Sequence, residues 1–263
     1  MKLNRFRLGI ALATSGLALW PALASIASAT PVEGHLPGAS AARIGIHAEP
    51  PLGAAHVTPL AARKKVLSVG DSWAVHMETG MRAASPGTIV YGNGRGGCGI
   101  RFTADNEGST CNQWPTLWPQ LMDKYHPDAV LLMVAQWDSQ PRKVTWDAPP
   151  RDLTDPDQRE RFTQNLNRAV DILSARNTPV YVMNAPRIDA SARVADDLIE
   201  NVARAHANVH VLNLRDQLCD ANACPSPIHG IPVYDRTWHT THGAETRLGA
   251  WILNQMFQPR YQS

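Results

Sequence analysis

The sequence predicts a three-layer α/β/α sandwich, on two observations. Short runs of β-branched and large apolar residues recur at 66–69, 88–91, 129–134, 179–183 and 209–214. Most are unbroken rather than alternating, as expected of strands buried on both faces of a parallel sheet. Helical stripes separate them with short links. Phe162, Leu166, Ala169, Val170 and Leu173 form one stripe. Val194, Leu198 and Val202 form another within 191–206, and Ala244, Leu248, Trp251, Ile252 and Met256 form a third.

These elements fall within residues 64–259, long enough for one domain with a substantial core. Residues 1–29 read as an export signal. Lys2, Arg5 and Arg7 precede an apolar stretch over 8–23, and Ala27-Ser28-Ala29 is a small-residue cleavage site. The apolar stretch is short and interrupted by Pro21, which argues against a retained anchor. Cleavage starts the mature chain at Thr30 and sends it to the periplasm or the medium. No later stretch is apolar enough to span a bilayer. Residues 30–63, rich in Ala, Pro, Gly and His, read as a flexible linker.

Without the leader, 22 basic side chains face 23 acidic ones. That balance excludes the basic footprint of a nucleic-acid or anionic-membrane binder. The cysteines fall into two close pairs, Cys98 with Cys111 and Cys219 with Cys224. In an exported chain they read as two local disulfides. Zinc is disfavoured, since tight C-x-x-C spacing and a histidine cluster are both missing.

The chemistry centres on Gly70-Asp71-Ser72, directly after the first strand. A serine at the carboxyl end of such a strand sits where open α/β sheets carry their active sites. It becomes a nucleophile when a base takes its proton. Asp235-Arg236-Thr237-Trp238-His239 supplies the base His239 and the carboxylate Asp235 to orient it, with Thr240 and Thr241 as caps for the last helix. His242 is the competing base, although its neighbours suit the first helical turn.

Oxyanion donors come next. The Ser72 N–H is one, and a second belongs in the glycine-rich loop 91–100, where backbone can approach a ligand. Gly97 is the first choice there, with Gly96 and Gly99 behind it. At the end of the central strand Gln136 can donate its amide, and Trp137 can wall a sugar or acyl site. Asp71, Trp73, Trp137 and Trp238 are the candidate substrate contacts. Trp114, Trp118 and Trp146 fall near the same edge, where stacking on sugar rings competes with core packing as their role. Residues 139–157, rich in Pro and Asp, form a long loop suited to shaping a cleft. Arg187 reads as a solvated loop residue that can also meet an anionic group.

Together these stretches resemble the SGNH (GDSL-type) hydrolase family, especially the SGNH domains that accompany bacterial membrane acyltransferases O-acetylating polysaccharides. Val69-Gly70-Asp71-Ser72, Gly96-Gly97-Cys98-Gly99, 125–130 leading to Gln136-Trp137-Asp138, and Asp235 to His239 with Gly243-Ala244 carry the resemblance. It implies a flavodoxin-like parallel sheet and ester chemistry without a cofactor. Ser72 is then nucleophile, His239 base, Asp235 orienter and Gly97 an oxyanion donor. Two departures stand out. The Asp-to-His interval is one residue longer than usual and the His-to-Gly interval one shorter, which sets Trp238 at the base position of a gapless alignment. Ala135-Gln136-Trp137 also replaces the usual Gly-x-Asn. The expected function is an esterase or O-acyltransferase on O-acyl, chiefly O-acetyl, groups of carbohydrate. The partners are an acylated polysaccharide and a membrane acyltransferase. The alternatives are a polysaccharide-binding module without turnover and, less favoured, a long-chain lipase or thioesterase.

Overall fold

The computed structural model describes residues 63–106, 110–219, 224, 227–228, 230–234 and 240–258. The expected export signal and nearly all of the expected linker lie outside the described residues. In chain order the elements are β1 (Lys65–Gly70), α1 (Ser72–Ala84), β2 (Ile89–Gly94), α2 (Trp114–Tyr125), β3 (Ala129–Met133), α3 (Ala135–Asp138), α4 (Pro156–Leu173), β4 (Val180–Met183), α5 (Ala190–Ala205), β5 (Val209–Leu212), α6 (Leu214–Leu218) and α7 (His242–Phe257). The strands form one sheet in the order β2-β1-β3-β4-β5, every pair parallel.

The sheet divides the core in two. From β3, Val130 and Leu132 face Trp118, Phe162, Leu166 and Ile199 of α2, α4 and α5. Leu131 and Met133 face the other way, into Met77 and Met81 of α1 and Leu248 and Ile252 of α7. Every residue of β3 is buried, so the strand needs apolar side chains at both parities. This is the three-layer arrangement that the unbroken runs predict.

The differences lie at element ends. β2 starts one residue later than expected and runs on through Gly92-Asn93-Gly94, because β1 continues to pair with it to Gly70↔Gly94. Glycine is needed there, since a Cβ on Gly94 would lie 2.6 Å from the Val75 nitrogen of α1. β3 stops at Met133 and β5 at Leu212, where the chain turns into α3 and α6. α1 and α2 add to the helices that the sequence predicts. In α2 the buried residues Trp114, Trp118 and Met122 repeat every four positions, which is its legible signal.

Candidate active site

The carboxyl edge of β1 carries the first part of the site. Gly70 turns the chain with φ +129°, and a Cβ there would lie 1.8 Å from the Met133 carbonyl oxygen. The Asp71 N–H donates to that same oxygen at 2.9 Å. The Asp71 carboxylate then caps α1, accepting from the Trp73 N–H at 2.8 Å. Ser72 is therefore the first residue of α1, part-exposed, at the positive end of the helix dipole.

Asp71 is a buried cap and Trp73 a core side chain, so neither presents the substrate surface expected of it. Asp71 is 1% exposed. Trp73 is 4% exposed, packed beside Met77 and Met81 and edge-on to Tyr234 at 5.8 Å between ring centroids. Burial pushes the Asp71 carboxyl up to about 8, against the Trp73 N–H, and the charge of Asp138 pushes the same way. An unfolded aspartate ionises near 4, so between about 4 and 8 only the folded state keeps the proton. The Asp71 contribution to stability therefore falls as pH rises across that window. Asp71→Asn keeps a good cap without the ionisation. Its melting temperature is expected to exceed the wild type's at pH 8, with the gap shrinking toward pH 5. An equal gap at both pH values contradicts the assignment.

The glycine loop lies against this turn. The Arg95 N–H donates to the Gly70 carbonyl at 2.8 Å, and the Cys98 N–H donates to the Arg95 carbonyl at 3.2 Å. Gly97 has φ +72°, and a Cβ there would sit 3.4 Å from the Trp137 ring. Arg142 covers Trp137 at 3.5 Å from the ring centroid. The Cys98–Cys111 disulfide closes the loop, and Cys219–Cys224 is the second expected bridge. The Trp137 Nε1 and the Gln136 Oε1 are buried without a hydrogen-bond partner among the described residues.

Asp138 holds the far end of the loop, a role that the sequence reading missed. Its carboxylate accepts from the Ile100 N–H at 3.0 Å and the Arg101 N–H at 2.9 Å. A Cβ on Gly99 would lie 2.3 Å from that carboxylate, which explains the glycine. The Arg101 guanidinium is buried 3.8 Å from Asp138. It donates to the Gln140 and Arg151 carbonyls and to the Gln158 Oε1, so one side chain ties the glycine loop to the long 139–157 segment. That segment folds back on itself through an Arg142–Arg151 bridge.

Asp235, Trp238 and His239 lie outside the described residues. The chain on either side of them is described. Tyr234 and Thr240 pair in an antiparallel bridge, and the Thr241 N–H donates to the Val233 carbonyl at 2.8 Å. The two ends of the 235–239 segment therefore meet, with Tyr234 against Trp73, the neighbour of Ser72. The helices agree. His76 meets Glu245, and Gly80 meets Gly249 in backbone contact, both at an offset of 169 residues. The same offset carried one turn back aligns Ser72 with Thr241. His242 opens α7 and is 77% exposed, with Nδ1 3.8 Å from Glu245 Oε2.

Of the remaining tryptophans, Trp114 and Trp118 are core residues packed against each other at 5.1 Å, which removes them from a sugar-binding edge. Trp146 stands 61% exposed on the long segment. The Arg187 Nε donates to Asp189 at 2.6 Å, and Asp189 caps α5.

A five-stranded parallel sheet with a serine-bearing helix start and a glycine loop on its carboxyl edge is the arrangement of an SGNH hydrolase fold. The family model of the SGNH domain, described as fused to AT3 domains, matches residues 43–193. The chain belongs to the SGNH family. Among solved structures it is similar to the periplasmic domain of a lipopolysaccharide acetyltransferase from Salmonella ser. Paratyphi A, at 12% identity over 76% of this chain and 86% of that one, TM-score 0.50. It is also similar to a carbohydrate acetylesterase from Sinorhizobium meliloti, at 13% over 73% and 98%, TM-score 0.47. A third is a G-D-S-L family lipolytic protein from Desulfitobacterium hafniense, at 13% over 74% and 100%, TM-score 0.49. No curated protein matches the sequence. Among the described residues no helix is long and apolar enough to cross a membrane. Two disulfides fit an oxidising compartment such as the periplasm.

Proposed function

We propose that this protein is an exported serine enzyme that removes or transfers O-acetyl groups on carbohydrate, with Ser72 as nucleophile, His239 as base and Asp235 orienting it. One observation carries the reading: the closed neck of the 235–239 segment rests beside the first turn of the helix that Ser72 opens. That neck brings the chain flanking residues 235–239 to the helix that presents the serine.

The chemistry follows from the groups at this edge. Ser72 Oγ bonds to the acetyl carbonyl carbon as His239 takes its proton. The carbonyl oxygen becomes an oxyanion held by the N–H groups of Ser72 and Gly97, with Gln136 as a further donor. The ester C–O bond breaks and the sugar oxygen leaves with the proton from His239. Water or a sugar hydroxyl then gives its proton to His239 and attacks the acetyl-Ser72 carbonyl; the acetyl–Oγ bond breaks, Ser72 takes the proton back from His239, and acetate or the acetylated sugar leaves. Which acceptor prevails depends on how well the cleft excludes water and seats a sugar. The Gln136 Oε1 and Trp137 Nε1, without a hydrogen-bond partner among the described residues, support a role on the substrate side, where a bound acyl sugar would pair them. The AT3 fusion of the family model and the Salmonella acetyltransferase domain support acetyl transfer beside a membrane acyltransferase.

The test is a burst of p-nitrophenol from p-nitrophenyl acetate, equal in size to the enzyme present, with acetyl found on the Ser72 peptide by mass spectrometry. Ser72→Ala is expected to abolish both. Rising acetylated sugar at the expense of free acetate, when a polysaccharide is added, identifies transfer. A wild type without a burst, or a Ser72→Ala burst of normal size, overturns the proposal. Glycan binding without turnover would then favour the binding-module reading, which the missing Gly-x-Asn motivates.

A further inference from the structure

We infer that Glu245, held by His76, is a positioning residue that ties the base-bearing segment to the nucleophile helix; the inference rests on the function proposed above. Glu245 is buried, at 6% exposure, in the first turn of α7. One carboxylate oxygen, Oε1, accepts from the Thr240 hydroxyl at 3.1 Å and meets His76 Nδ1 at 2.6 Å. Thr240 is the residue directly after His239. His76 lies one helical turn beyond Ser72 on α1. A single carboxylate thus joins the far end of the 235–239 segment to the helix that presents the serine.

The surrounding backbone makes this joint stiff. A Cβ on Gly80 would lie 2.0 Å from the Glu245 carbonyl oxygen, and one on Gly249 would lie 2.1 Å from the Gly80 carbonyl carbon. The two helices therefore touch backbone to backbone, and Glu245 has a fixed place relative to Ser72. The Tyr234–Thr240 bridge closes the neck of the segment, but it does not by itself set the height of Thr240 along α1. The Glu245–Thr240 bond does. His76 keeps the carboxylate turned inward, toward Thr240, while the exposed His242 stands 3.8 Å from the other oxygen, Oε2. A misplacement of about 1 Å at a catalytic group can cost on the order of a hundredfold in rate, so a polar clip of this kind controls kcat more than binding.

The experiment compares Thr240→Val, Glu245→Leu and Glu245→Gln with the wild type on p-nitrophenyl acetate, using melting temperature to confirm folding. Thr240→Val and Glu245→Leu are each expected to lower kcat by about tenfold or more with KM unchanged. Their double variant is expected to be no slower than the worse single one, because both remove the same bond. Glu245→Gln keeps an oxygen for Thr240 and is expected to retain most of the rate. Thr240→Val, nearly isosteric, keeps the test open if Glu245→Leu fails to fold. Folded Thr240→Val with wild-type kcat overturns the inference, as does a Glu245→Gln variant as slow as Glu245→Leu. Ser72→Ala separates the two readings: if it abolishes turnover while the clip variants do not lower it, the clip fails and the proposed function stands. If Ser72→Ala leaves turnover intact, the proposed function fails first.

Discussion

Replacing His239 with alanine is expected to lower the rate of Ser72 acylation on the order of 10⁴-fold or more, whereas His242→Ala leaves it within about threefold. The two histidines are three residues apart in the sequence, and of them His242 lies among the described residues. His242 belongs to the first turn of α7, and its side chain is 77% exposed beside Glu245. In the α1–α7 register Ser72 is level with Thr241, and His239 precedes that position on the segment whose neck rests against Trp73. A serine hydroxyl at ordinary pH needs a base within hydrogen-bond reach, and loss of that base removes nearly all covalent catalysis. The measurement is the first-order rate of p-nitrophenol release in stopped flow, with folding confirmed by melting temperature. A His242→Ala variant that loses activity while His239→Ala keeps it would move the base one turn into the helix.

Replacing Arg101 with methionine is expected to cost about 3–5 kcal/mol of stability, the usual penalty for leaving one member of a buried ion pair behind. For a domain of this size that is roughly 6–20 °C in melting temperature. The abandoned group is Asp138, buried and already pushed up to about 6 by its desolvation despite the Arg101 cation. Removing the cation raises it further. The sign follows. Below about pH 6 Asp138 is protonated in both proteins and the ion pair contributes little. Above it the wild type ionises against Arg101 and the variant cannot, so the deficit grows with pH. It does not vanish in acid, since the carbonyls of Gln140 and Arg151 and the Gln158 side chain also lose their donor. Thermal melts of both proteins at pH 5 and pH 8 check this. A deficit under 1 °C at pH 8 would show that the pair does not hold the glycine loop and the long segment together.

The fold was legible because its signal is local. Leu131 and Leu132 of the central strand face opposite helix layers, and a strand sandwiched in this way must be apolar at every position. The amphipathic stripes of α4, α5 and α7 follow equally from one-sided burial. Gly70-Asp71-Ser72 was legible as a motif directly after an apolar strand, whereas the capping role of Asp71 was not, since it depends on α1, which carried no predicted stripe. The roles of individual side chains were less legible. Trp73 and Trp137 look alike in sequence, but one fills the core and the other lies between Gly97 and Arg142. Arg101 and Asp138 are far apart along the chain, and nothing local marks them as partners.

By itself the sequence determined the order of the five strands and of helices α4, α5 and α7, the placing of Ser72 at the carboxyl end of the first strand and the pairing of nearby cysteines. Each depends on residues within one element or a few positions apart, where periodicity and turn chemistry act directly. The tertiary structure alone decided which polar groups meet: Asp138 with the glycine loop, Arg101 with the long segment, and Glu245 with His76 and Thr240. Those contacts join residues that helix packing and strand order bring together, and desolvation makes each depend on a partner that only the folded chain supplies.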